Sequence, residues 1–347
     1  MVDTGREGFK MTKYYSELDV SQFVSEAVAG WPFSLETPIQ ELNCSQGGVW
    51  IKRDDELSFG SSGSKIRKYA SLIPRIKREG VKGVIIEGGL NANNSLAAAQ
   101  LFRQNQIPFR LMVPEGSRPR TAGNQLWLKL LVAEDEMIFM ADDNFEDQVS
   151  AFKALMSESV LELPEGANHS WALGGALSLA FDLGRNREHI DKPISQVIVD
   201  AGTGLMAQAL ILGCGSWQQP PLVRVIGMAG TKNDFEQGLL RRCHELEREL
   251  AEQLLLGDKK IKVAPWEWEL PATAKSFGST NRRVFDEIAR FARQEGILLD
   301  PLYSGKMVYT YQQKAQDWDT SGETILIHSG GALTLSGFQE QLVGSIN

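Results

Sequence analysis

Cysteine and histidine are scarce in this chain. Cys44, Cys214 and Cys243 are widely separated and odd in number, which argues against a disulfide framework and a clustered thiolate metal site. His169, His189, His244 and His328 include no His-x-x-x-His pair, so no helix offers the usual zinc spacing. No segment supplies the roughly 20 apolar residues that cross a bilayer, and no apolar run followed by a cleavage signal opens the chain. A basic excess is missing as well. The formal charge of -8 gives no global attraction to nucleic acid. Neither Gly-x-Gly-x-x-Gly nor the lysine-containing nucleoside-triphosphate loop is found. These absences predict a reduced, cytoplasmic protein with no nucleic-acid and no membrane partner.

What is there is ordinary in composition and regular in pattern. At 347 residues, 42% hydrophobic and 23% charged, the chain can bury substantial cores as two domains or one large α/β unit. Residues 1–35 mix charge with aromatics and read as a peripheral arm or short helices. Strands are then expected at 48–52, 84–86, 109–113, 137–140, 159–163, 197–199, 223–227 and 324–328. Helices are expected at 66–78, 95–104, 121–133, 145–157 and 205–212. Strand–helix alternation with glycine at the strand exits predicts two doubly wound, mostly parallel open sheets. Such sheets bind ligands beyond the carboxyl ends of their strands. We place a smaller α/β domain at 53–165 and a larger one at 1–52 with 166–347.

Four loops at strand exits carry chemistry. In Gly63-Ser64-Lys65-Ile66-Arg67-Lys68 a lysine follows a small-residue turn, and Lys68 lies one helical turn further on. A lysine so held can bond an aldehyde cofactor covalently, although most lysines are solvated charges. Gly88-Gly89-Leu90-Asn91-Ala92-Asn93-Asn94-Ser95 precedes an alanine-rich helix whose first amides can receive a carboxylate; an ordinary capped turn is the alternative. Asp200-Ala201-Gly202-Thr203-Gly204 follows an apolar strand and can present amides to phosphate, or be a plain strand-to-helix turn. In His328-Ser329-Gly330-Gly331 the Ser329 hydroxyl can meet a ring nitrogen, while His328 also reads as a satisfied core histidine.

Taken in order, these segments resemble the 1-aminocyclopropane-1-carboxylate deaminase and D-cysteine desulfhydrase family, within the tryptophan-synthase-β-like, fold type II pyridoxal-phosphate enzymes. The resemblance spans about residues 36–335. It starts at Thr37-Pro38-Ile39-Gln40-Glu41-Leu42, runs through Ile51-Lys52-Arg53-Asp54-Asp55, and resumes at the Lys65 turn, close to the family's Gly-Asn-Lys-x-Arg-Lys. Pro164-Glu165-Gly166 with Gly174-Gly175 matches more loosely. The most specific stretch is Glu295-Gly296-Ile297-Leu298-Leu299-Asp300-Pro301-Leu302-Tyr303-Ser304-Gly305-Lys306, and His328-Ser329-Gly330-Gly331 closes the pattern.

The resemblance implies pyridoxal 5'-phosphate held between the two domains, a small amino-acid substrate and a homodimer. It implies that Lys65 bonds the cofactor aldehyde, that Lys68 with Gly202, Thr203 and Gly204 holds its phosphate, that Asn93 approaches its phenolic oxygen and that Ser329 approaches its ring nitrogen. Asn91, Ala92, Asn94 and Ser95 would receive the substrate carboxylate, with Phe277 and Tyr303 also at the substrate. Two positions depart from the family. Ala92 stands where a small hydroxyl residue is usual, and Ser276-Phe277-Gly278 stands where Gly-Tyr-Gly is common. Each missing hydroxyl is worth roughly 10²–10⁴ in rate if it moves a proton. The expected activity is therefore α,β-elimination and deamination, as of D-cysteine to pyruvate, sulfide and ammonia, in preference to opening a cyclopropane. A deaminase of aminocyclopropane-carboxylate, a catalytically degenerate cofactor-binding protein and a dinucleotide-dependent oxidoreductase are the competing readings.

Overall fold

Alternation within the strands decides the architecture. In Gln196-Val197-Ile198-Val199 and in Ile325-Leu326-Ile327 the odd-numbered residues enter one apolar cluster and the even-numbered Ile198 and Leu326 enter another. A strand apolar on both faces must be covered on both, which is the signature of a parallel sheet between helix layers. The computed structural model describes residues 12–43, 48–57, 63–114, 122–255, 259–318 and 321–346. Cys44 and the segment 58–62 before the Lys65 turn lie outside the described residues.

The strands are β1 (Ile39–Glu41), β2 (Val49–Lys52), β3 (Gly83–Glu87), β4 (Phe109–Val113), β5 (Met137–Phe139), β6 (Val160–Leu163), β7 (Ile194–Ala201), β8 (Leu222–Gly227), β9 (Trp266–Glu269) and β10 (Glu323–Ile327). The helices are α1 (Glu17–Ala27), α2 (Lys65–Arg78), α3 (Asn93–Gln104), α4 (Asn124–Leu131), α5 (Phe145–Leu155), α6 (Leu173–Asn186), α7 (Leu205–Gly215), α8 (Lys232–Leu254), α9 (Arg282–Glu295), α10 (Ser304–Lys314) and α11 (Gln339–Ile346).

Two sheets form, as expected. The smaller has the order β5-β4-β3-β6 and is parallel throughout. The larger has the order β1-β2-β10-β7-β8-β9, with β1 antiparallel to β2 and every other pair parallel. Each sheet reverses its winding once. The chain proceeds from β3 to β4 and β5, then returns to place β6 on the other side of β3. It proceeds from β7 to β8 and β9, then returns to place β10 on the other side of β7. Crevices open at such switch points, beyond the strand ends. The loops there begin at Gly88, Pro164, Gly202 and His328; those at Gly88, Gly202 and His328 are three of the four loops singled out in the sequence, and the fourth, at Lys65, opens α2.

Several details differ from expectation. Of the two readings of residues 1–35 a short helix forms, α1, and it is not peripheral: Val20, Phe23 and Val24 are buried in the larger domain's core. Its start is fixed by a reciprocal cap between Ser16 and Asp19. Helix α5 stops at Leu155, before 157, because Ser157 and Glu158 take left-handed φ values of 52° and 59°. Helix α3 begins at Asn93, two residues earlier than expected. The edge strands β1 and β9 went unanticipated; Ile-Gln-Glu and Trp-Glu-Trp-Glu lack the continuous apolar runs of the inner strands.

Behind the crevice α2 is pinned by buried charge. Arg67 reaches Asp54 at 2.6 Å and Asp182 at 2.7 Å, and Lys52 reaches Asp182 at 2.6 Å; none of the four is more than 1% exposed. Asp182 also accepts from the Thr37 amide at 3.1 Å. Helix α6 crosses so closely that a Cβ on Gly175 would come within 1.9 Å of the Arg67 carbonyl oxygen. The helix that begins at Lys65 is thereby tied to the larger domain.

Candidate active site

The four switch-point loops converge on one cavity of about 450 Å³. It is lined by every residue singled out above: Lys65, Lys68, Asn91 to Ser95, Gly202 to Gly204, Phe277, Tyr303 and Ser329.

Lys65 opens α2 and stands half-buried, its Nζ 5.3 Å from the centre of the Tyr303 ring. Its turn is fixed from across the crevice. The Ser64 amide donates to the Ser329 carbonyl oxygen at 3.1 Å, and the Ser64 hydroxyl to the same oxygen at 3.2 Å. Gly63 turns with φ +50°, and a Cβ there would lie 2.3 Å from that oxygen, so only glycine fits.

Lys68 is 4% exposed, and its Nζ donates to the Gly166 carbonyl oxygen at 2.8 Å. Burial, then the neighbouring charge of Lys65, push its pKa down to about 7; Asp200 pulls the other way and Arg242 adds to the depression. A buried ammonium so destabilised gains from any anion that arrives beside it. Gly204, with φ +91°, starts α7 in a left-handed conformation without any side-chain cap. The uncapped amides at this helix start face the same cavity and suit a phosphate.

Helix α3 also starts without a side-chain cap, because Ala92 at its N-cap has no oxygen to offer. The capped-turn alternative is therefore not what forms, and the first amides of α3 are open to a carboxylate. The Ser95 hydroxyl donates back to the Gly89 carbonyl oxygen at 3.0 Å. Asn93 is held in one amide orientation. Its Oδ1 accepts from Asn124 Nδ2 at 2.6 Å and from the Thr334 hydroxyl at 3.1 Å, so its Nδ2 is the side left to donate. Asn124 Nδ2 also donates to the Asn91 carbonyl oxygen at 3.1 Å, which sets its own orientation. Neither Asn124 nor Thr334 was signalled by the sequence, since they reach Asn93 from elsewhere in the fold.

Asp300 collects the turn before α10. Its carboxylate accepts from the amides of Leu302, Tyr303 and Ser304 at 2.8–3.0 Å and from the Ser304 hydroxyl at 2.8 Å. This explains why Asp300-Pro301-Leu302-Tyr303-Ser304 is so distinctive: the carboxylate aims the Tyr303 ring beneath Lys65. Burial, then Asp300 and Asp200, raise the pKa of the Tyr303 phenol, so it keeps its proton. Phe277 stands at the rim, 58% exposed.

At the floor, the Ser329 hydroxyl donates to Asp200 Oδ1 at 2.8 Å. His328 is the core histidine of the two alternatives: Nδ1 accepts from the Gly330 amide at 3.2 Å, so Nε2 carries the hydrogen and faces the Leu298 carbonyl oxygen at 2.9 Å. Among the described residues no cluster of His, Cys, Asp and Glu suits a metal, and no helix is long and apolar enough to cross a membrane.

Known proteins similar to this chain point to one family. Residues 31–330 match the family model described as "Pyridoxal-phosphate dependent enzyme". A D-cysteine desulfhydrase of Serratia proteamaculans is 24% identical over 306 residues, 85% of this chain and 89% of that protein. A Pyrococcus furiosus protein provisionally named a 1-aminocyclopropane-1-carboxylate deaminase is 24% identical over 305 residues, with the same coverage. The crystal structure of an aminocyclopropane-carboxylate deaminase homologue superposes with a TM-score of 0.77 at 24% identity, covering 93% of this chain and 98% of that one. The cavity suits the cofactor these matches imply. It offers a lysine amine, an uncapped helix start beside a buried lysine for phosphate, and buried hydrogen-bonding atoms without partners, Asn94 Nδ2 and Asn124 Oδ1.

Proposed function

The chain belongs to the pyridoxal-phosphate-dependent enzymes, and on that premise we propose that it is a lyase that eliminates a β-substituent from a small amino acid and deaminates the remainder. D-Cysteine, yielding pyruvate, sulfide and ammonia, is the substrate this reading favours. The observation that carries it is the convergence of Lys65 Nζ, Lys68 and the uncapped start of α3 on one cavity.

The bound cofactor supplies a covalent electron sink for charge that develops at the substrate Cα. The protein's residues do the rest. Lys65 would hold the cofactor at its aldehyde, and its Nζ, beside the Tyr303 ring, is the base that would take the substrate Cα proton. Lys68 and the α7 start at Gly202 to Gly204 hold the phosphate. Asn93, turned by Asn124 and Thr334, donates to the phenolic oxygen. The α3 start, from Asn91 to Ser95, receives the substrate carboxylate and so fixes Cα between Lys65 and Tyr303. Ser329 meets the ring nitrogen.

Ala92 and Phe277 favour elimination over cyclopropane opening, because the latter reaction lacks an easily lost Cα proton and relies more on added proton donors. Aminocyclopropane-carboxylate deamination is the second reading, and its support is the names of the relatives. The same proposal includes a smaller domain at 53–165, a homodimer and a cytoplasmic location.

The test is the near-ultraviolet and visible absorbance of the protein reconstituted with pyridoxal phosphate, before and after D-cysteine, with Lys65→Ala as control. A Lys65-dependent band that shifts with D-cysteine, with pyruvate and sulfide released, is expected. A Lys65-dependent band with no turnover would overturn the substrate assignment, and no band would overturn the site.

A further inference from the structure

One acidic group of the cavity has no part in the scheme above. Asp200 is the penultimate residue of β7, is 8% exposed and lines the cavity. Its Oδ1 takes the hydroxyl hydrogen of Ser329, which stands just past β10 on the neighbouring strand. The pair thus bridges the two strands at the switch point of the larger sheet.

The direction of that bond has a chemical consequence. A serine hydroxyl has one hydrogen and two lone pairs. With its hydrogen committed to Asp200, Ser329 can only accept from a group in the cavity. A neutral pyridine nitrogen is itself an acceptor, so the two would face each other lone pair to lone pair. A protonated ring nitrogen donates, and completes a chain of two hydrogen bonds from ring to carboxylate.

The charges lead to the same arrangement. Burial raises the Asp200 pKa, opposed by the Lys65 charge and by the Ser329 hydroxyl, with Asp300 adding to the rise and His328 opposing it. An ionised Asp200 in this place needs a cation close by. Once Lys65 is engaged with the cofactor aldehyde, a ring N–H⁺ joined through Ser329 supplies one.

We propose that Asp200, acting through Ser329, is a positioning residue that keeps the ring nitrogen of the bound cofactor protonated. The inference rests on the cofactor reading above. A protonated ring withdraws electrons from the substrate Cα more strongly than a neutral one. The site is thereby suited to stabilising the charge left when the Cα proton departs.

The experiment is ¹⁵N NMR of the protein reconstituted with pyridoxal phosphate labelled at the ring nitrogen, alongside the absorbance spectrum. The parent protein is expected to give a ring-nitrogen resonance at the pyridinium position, and Asp200→Asn to move it to the neutral-pyridine position while the Lys65-dependent band persists. A neutral-position resonance in the parent overturns the inference while leaving the cofactor reading intact. So does a pyridinium resonance that Asp200→Asn leaves in place. If Asp200→Asn does not fold, the parent spectrum and Ser329→Ala, which breaks the same chain, decide the matter. Absence of any Lys65-dependent band in the parent would overturn the cofactor reading and this inference together.

Discussion

Replacing Lys68 with methionine should strengthen the cofactor-free protein and weaken its grip on the cofactor. Lys68 is buried, with the Gly166 carbonyl as its hydrogen-bond acceptor, and its pKa falls from 10.5 to about 7. At about 1.4 kcal/mol per unit, the folded state bears a penalty of roughly 5 kcal/mol for the charged form. The sign follows from proton counts. Between about pH 7 and the ordinary lysine value the unfolded chain binds more protons at this position, so stability rises with pH. Below pH 7 both states are protonated and the penalty is fully present. Methionine carries no such penalty, so the variant's advantage should shrink by about 2 kcal/mol between pH 7 and 9. Urea unfolding of both cofactor-free proteins at the two pH values measures it. A phosphate beside Lys68 reverses the balance. Loss of a charge-assisted bond costs about 1.5–3 kcal/mol, or roughly 10–150-fold in pyridoxal-phosphate affinity, readable by titrating the Lys65-dependent band. Cofactor binding near pH 8 should also take up a proton in the parent and less in the variant. A stability difference that does not change with pH, or an unchanged affinity, would refute this account.

Asp182→Ala leaves Lys52 and Arg67 short of a buried partner and should cost about 3–5 kcal/mol, read from the urea midpoint. Burial alone would raise Asp182, yet Arg67 and Lys52 hold its pKa below the ordinary 3.8. Its contribution is therefore present above that value and lost as pH falls through the depressed pKa, so the variant should resemble the parent only in strong acid. Asn124→Ala frees the Asn93 amide and should weaken cofactor binding by about tenfold, the worth of one hydrogen bond near 1 kcal/mol plus lost orientation; an unchanged affinity would show that Asn93 needs no clamp. Ala92→Ser combined with Phe277→Tyr restores two hydroxyls to the cavity. Aminocyclopropane-carboxylate turnover, assayed as released ammonia, should rise by at least about 10²-fold if those hydroxyls move protons.

Why the sequence was readable at Lys65 and Ser329, but not at Asn124 or Asp200, has a physical reason. Loops at strand exits carry their own local demands. Gly63 and Gly204 have positive φ, and the apolar runs of β3, β7 and β10 announce themselves by composition. A reader of the chain can therefore find the loops and the residues they display. The partners of those residues are another matter. Asn124 lies 31 residues from Asn93, Thr334 lies 241 from it, and Ser329 lies 129 from Asp200. Ser329 meets Asp200 because β10 returns beside β7, Asn124 follows β4, the neighbour of β3, and Thr334 reaches Asn93 from beyond the other sheet. Asp200 did leave one sign, a carboxylate directly after the apolar run Val197-Ile198-Val199, and such a group must find a donor or stay unpaired at high cost. Which donor it finds, and hence which way the Ser329 hydroxyl points, depends on strand order. The same holds for the charges around Arg67, drawn from β2, α2 and α6 and the turn at Asp54. Their burial sets the start of α2, and so fixes where Lys65 can reach. In this protein the displayed residues are a local property of the chain, while their protonation and orientation are properties of the sheet.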